Sequence, residues 1–72
     1  MTNTILLNTW IDKSGFKKTY IAQRLGLSFQ GFLNKLNGKS EFTVREVIIL
    51  CRLLKIPFDD REVIFFTLDV DE

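Results

Sequence analysis

The sequence predicts an all-α fold, a compact bundle of four to five short helices, and three observations predict it. Apolar residues recur at spacings of three and four along successive segments, each segment opens on a residue suited to a helix start, and each closes at a glycine or proline. Alternation of apolar and polar residues, the mark of a half-buried strand, is confined to the last few positions. A chain of 72 residues buries only about 60% of the surface it exposes when unfolded, so a single domain spanning 1–72 is expected. No linker, internal repeat or low-complexity tract divides it. With 46% apolar residues and seven phenylalanines it carries enough material for a core.

The first helix follows Asn3, whose side chain can accept from the free N–H groups of a first turn, and it places Leu6, Leu7, Trp10 and Ile11 at helical spacing before Gly15 closes it. The second begins near Lys17 or Lys18, buries Ile21, Ala22 and Leu25, and stops at Gly26. Leu27 lies in the turn, and the Ser28 hydroxyl is placed to cap a third helix in which Phe32 and Leu36, four apart, face inward. Gly38, after Asn37, ends it.

The fourth helix is the most clearly signalled. "TVRE" has the form of a capping box, with Thr43 as cap and Glu46 reaching back, and Phe42 and Val47 occupy the two staple positions around it. Its expected buried stripe is Val44, Val47, Ile48, Cys51 and Leu54. Beyond Pro57, "DDRE" gives a weaker start, with Asp59 as cap and Glu62 three residues on. A short helix passing into an extended C-terminal segment is expected there, and the apolar tail, residues 63–72, is the natural place for contact between copies of the chain.

Composition narrows the function. The single cysteine, Cys51, and the absence of histidine leave no disulfide framework, no usual zinc spacing and no activated thiol, so neither a metal, a cofactor nor a catalytic site is expected. Apolar runs such as "VIIL" and "VIFF" are far too short to span a bilayer, which predicts a soluble cytoplasmic protein with no membrane partner and no small-molecule substrate. Charge is unevenly placed. Residues 1–40 hold six lysines and arginines against the lone Asp12, whereas residues 41–72 hold four basic side chains against eight acidic ones. Such a split suits a protein that turns one face to a polyanion and keeps the other away from it.

Two helices joined by a tight turn, with small Ala22 where they cross, Gly26 in the turn and Ser28 opening the second, make a helix-turn-helix over residues 18–37. "YIAQRLGLSFQGFLNKLNGKSEF" resembles the lambda-type repressor and Cro family, also called XRE, and most of all its small phage and prophage regulators from Gram-positive bacteria. In those, an "LGIS" turn, a third helix ending "KLNGK" and a C-terminal pair of phenylalanines recur. The likeness runs from about Phe16 to Phe66. The chain departs from the family in placing its second inward residue of the third helix at Leu36, where many members place it at the position of Lys35.

The resemblance implies base contacts by Phe29, Gln30 and Asn34, with Leu33 beside them and Gly31 permitting close approach to the duplex. Gln30 and Asn34 suit the task, because an amide can donate to and accept from an adenine edge. Phe29 can do neither. It either meets a thymine methyl, or anchors a protein contact, or folds back onto Leu33 or the end of the second helix as an extension of the core. Phosphate contacts would fall to Lys17, Lys18, Lys35, Asn37, Lys39 and Ser40, which set register without reading sequence. The family offers two functions: a transcriptional regulator in a lysis–lysogeny switch, acting on double-stranded operator DNA as a homodimer, or an antirepressor (modulator of repression) that binds the DNA-reading face of the cognate phage repressor. Operator binding is the first reading, favoured by the lysines and the shortage of acids before residue 41. Phe29 at the tip, apolar Leu33, a net charge of only +1 and the acidic residues Asp59, Asp60, Glu62, Asp69, Asp71 and Glu72 lean toward the alternative, because strong DNA binders usually carry more positive charge.

Overall fold

The computed structural model describes residues 2–65, and among them the structure is entirely helical, as expected. Five helices follow one another: α1 (Thr4–Ser14), α2 (Lys18–Leu25), α3 (Phe29–Leu36), α4 (Val44–Leu54) and α5 (Phe58–Phe65). The proposed extended segment beyond residue 65 lies outside the described residues. No helix among the described residues is long and apolar enough to cross a membrane.

The helix ends follow local chemistry. Asn3 Oδ1 accepts from the Leu6 N–H at 3.1 Å and Ser28 Oγ from the Gly31 N–H at 3.0 Å, so both caps expected from sequence form. At α4 the capping box is complete: Thr43 Oγ1 accepts from the Glu46 N–H, and Glu46 Oε1 accepts from the Thr43 N–H. Gly26 takes φ 74° at the end of α2, the left-handed conformation that a side chain would strain. The corresponding position after α4 is Lys55 at φ 56°, a non-glycine residue in the same region.

α1 packs on α3, α4 and α5, and α2 packs on α3 and α4, which closes a single core. Leu7 and Ile11 enter it from α1, Ile21, Ala22 and Leu25 from α2, and Phe32 and Leu36 from α3. Leu6 and Trp10 lie half-buried along its edge. A line of rings crosses the core, Phe32 against Phe42 at 6.3 Å and Phe42 against Phe65 at 6.4 Å, both edge to face. Cys51 is buried, and burial pushes its thiol up despite the opposing charge of Arg61, so it is a core side chain.

Two expectations for the second half are corrected. The buried side chains of α4 are Val47, Leu50, Cys51 and Leu54 together with Glu46, while Val44 and Ile48 are 73% and 46% exposed. "VREVIILCRLL" carries eight apolar residues in eleven, more than one face can bury, so two overlapping stripes satisfy helical spacing. On the buried side Glu46 meets Lys35 of α3. The second correction concerns α5, which begins at Phe58 and not after an Asp59 cap. The Pro57 carbonyl accepts from the N–H groups of both Asp60 and Arg61, so Asp59 and Asp60 lie within the first turn, where carboxylates favour the helix dipole. Of the tail assigned to contact between copies, Ile64 and Phe65 are instead packed into the chain's own core.

Candidate nucleic-acid interface

α2 and α3 are joined by three residues, Gly26 to Ser28, and the turn is held from within. The Gly26 N–H donates to the Gln23 carbonyl and the Leu27 N–H to the Ala22 carbonyl, each at 3.0 Å. Leu27 is half-buried and packs on the core, so the turn is fastened to the body of the protein by its middle residue. α3 is thereby presented with Phe32 and Leu36 inward and its opposite side outward.

On the outward side Gln30 Nε2 donates to Asn34 Oδ1 at 3.1 Å. The bond joins side chains one helical turn apart and orders both. It engages one donor of Gln30 and the carbonyl of Asn34, so the pair still has acceptor capacity on Gln30 and donors on Asn34, the complement of an adenine edge. Gln30 is exposed and Asn34 half-buried. Phe29, the first residue of α3, is 44% exposed, so its ring does not fold back to extend the core. Leu33 does pack against the core, half-buried, and so offers an outside partner only part of its surface.

Gly31 has a role inside the helix start. A Cβ there would stand 3.0 Å from Ser28 Oγ, the atom that caps α3, so the missing side chain makes room for the cap as well as for anything approaching from outside.

Of the residues expected to meet phosphate, Lys17 and Lys18 stand exposed at the start of α2, and Asn37, Lys39 and Ser40 stand exposed just beyond α3. The Lys39 N–H donates to the Asn34 carbonyl at 2.8 Å, which ties the loop after α3 to the residue carrying the amide. Lys35 does not join this set. Its Nζ donates to Glu46 Oε1 at 2.6 Å and lies 5.9 Å from the centre of the Phe42 ring. With 15% of its side chain and 9% of Glu46's exposed, the charge is met inside the protein. Burial alone would raise the Glu46 pKa, but hydrogen bonds from Lys35 and from the Thr43 N–H outweigh it and hold the carboxyl below its ordinary value.

Sequence reasoning missed one surface row. Phe16 and Tyr20 meet tilted at 40° with ring centres 5.2 Å apart, and Arg24 lies over the Tyr20 ring while its Nη1 donates to the Tyr20 hydroxyl at 2.9 Å. All three are exposed, and their spacing of four residues was the available signal. Comparison of the chain with family models, with curated proteins and with solved structures finds no match.

Proposed function

We propose that this chain is a small transcriptional regulator that binds operator DNA through α3, in a genetic switch of the lysis–lysogeny type. The observation that carries the reading is the Gln30–Asn34 pair: two bonded amides on the outward side of a short helix, with cations at Lys17, Lys18 and Lys39 and no acidic residue anywhere from Lys13 to Ser40. Taken as a helix-turn-helix, α2 would cross the phosphate backbone with Lys17 and Lys18 while α3 enters the major groove. Lys39 and the residues around it would hold the far strand. Phe29 would then meet a thymine methyl.

A second reading keeps the face and changes the partner. Phe29 stands exposed, and Lys35, which a strong DNA binder would spend on phosphate, is paired with Glu46. An exposed aromatic tip on a chain of net charge +1 suits a protein surface, and an antirepressor acting on the cognate phage repressor would use it as an anchor.

Fluorescence anisotropy on duplex DNA from upstream of the chain's own gene separates the two. Three lysine–phosphate contacts predict a log–log salt slope of about −3 per chain. Gln30→Ala should cost roughly 1–3 kcal/mol on the specific duplex and little on random sequence. No binding tighter than micromolar at low salt, together with a repressor complex lost on Phe29→Ala, would reject the operator reading and support the second.

A further inference from the structure

We propose that the groove between α4 and α5 receives an acidic amphipathic helix of a different protein, which lays its apolar stripe between the two helices and sets its carboxylates against Arg52 and Arg61. This face is built from other elements than α2 and α3, so the inference goes beyond the operator reading and holds whichever partner α3 meets.

The groove, about 430 Å³, has Val47 and Cys51 as its floor, with Val44 and Ile48 from α4 and Phe58 from α5 as its walls. The three wall residues are 73%, 46% and 80% exposed, and neighbouring apolar side chains left in water on a small protein mark a contact surface. Along α4 the lining falls at positions 44, 47, 48, 51 and 52, and along α5 at 58, 61 and 62, which is the spacing of one face on each helix. From Val44 to Arg52 the lining runs nearly the whole of α4, about 12 Å at 1.5 Å per residue. Covering both faces over that length suits a helix laid into the trough, with anchors three and four residues apart.

The charges set the chemistry of that helix. Arg52 stands in the last turn of α4 and Arg61 in the first turn of α5, and the lining holds one carboxylate, Glu62, against these two cations. Asp59 and Asp60 share the first turn of α5 but lie outside the lining. Among the described residues neither arginine has an ion pair. Arg61 is held in place by its Nε, which donates to the Ile56 carbonyl at 3.0 Å, and its charge is felt on the floor of the groove, where it opposes the upward push of burial on the Cys51 thiol. Cations without counter-ions beside apolar walls are matched by carboxylates flanking an apolar stripe.

A second copy of this chain meets the same lining poorly. Two-fold pairing sets a surface against itself, so groove on groove would bring arginines to arginines. The excess of positive charge therefore selects a partner of another sequence.

The test titrates the isotope-labelled full chain with two designed helical peptides of about five turns, followed by heteronuclear NMR. Both carry leucines at the spacing of one helical face, and their remaining positions are glutamate in one and lysine in the other. The glutamate peptide should bind about tenfold more tightly than the lysine peptide, with amide shifts gathered at Val44, Ile48, Arg52, Phe58 and Arg61. Arg52→Glu, at an exposed position, should reverse the preference, and Ile48→Glu should abolish binding of the glutamate peptide, both with unchanged helical circular dichroism. Should Ile48→Glu unfold, the reversal in Arg52→Glu decides alone. No binding, equal binding of the two peptides, shifts centred on α2 and α3, or a preference that survives Arg52→Glu would each overturn the proposal. So would shifts at the groove residues on diluting the chain alone, which would give the groove to a second copy.

Discussion

In α2 and α3 every apolar residue that helical spacing assigns to the interior is found there, whereas in α4 two of the five assigned are turned out to water. The two regions differ in how many apolar residues their helices carry, four of eight in α2 and in α3 against eight of eleven in α4. "KTYIAQRL" and "FQGFLNKL" each offer one apolar stripe, so the local pattern suffices. "VREVIILCRLL" offers two, and the one that is buried lies on the side of the ion pair between Lys35 and Glu46. The stripe left outside then becomes the wall of a groove. An excess of apolar residues in a helix is therefore information about a second surface.

The contrast is broken most sharply by two phenylalanines. Phe32, fully buried beneath α3, should cost about 3–5 kcal/mol as Phe32→Ala, which takes much of the stability of a domain this small. Phe58→Ala should change stability by no more than about 0.5 kcal/mol. Urea titrations followed by circular dichroism read both, and equal losses would mean that the α4–α5 side is core after all.

Next in size is the ion pair on the buried side of α4. Lys35→Ala leaves Glu46 buried without its cation and should cost on the order of 2–4 kcal/mol. Because folding lowers the Glu46 pKa, the pair's contribution is fully present above the ordinary carboxylate value of 4.5 and disappears as pH falls through the lowered one. Urea midpoints taken down an acid series should therefore drop for the native chain and flatten for Glu46→Gln. A native chain indifferent to acid would show that the pair does not stabilise the fold.

The smallest effects compare two helix ends. Gly26→Ala forces a side chain into the left-handed region and should destabilise by about 1 kcal/mol, while Lys55→Gly relieves the same strain and should stabilise by up to about 1 kcal/mol. Thermal midpoints of the two variants should move in opposite directions.

Much of this was legible in advance. The caps at Asn3, Ser28 and Thr43, the stops at Gly15, Gly26 and Gly38, and the inward faces of α1 to α3 follow from residues within four positions of one another. The outward placement of Gln30 follows from the same periodicity. Contacts between distant residues were not legible. Lys35 reaches a carboxylate eleven residues away, so its removal from the phosphate-facing set depends on how α3 meets α4. The start of α5 is not legible because two adjacent aspartates resemble caps, whereas the Pro57 carbonyl accepts from the N–H groups of Asp60 and Arg61.

Finally, the backbone N–H of Asn3 donates to the Ile64 carbonyl at 2.6 Å, and α1 rests against α5. Of the five helices described, the first thus leans on the last. A chain lacking α5 leaves α1 only α3 and α4 to pack on, so truncation before Ile64 should make α1 the most protease-sensitive of the remaining helices.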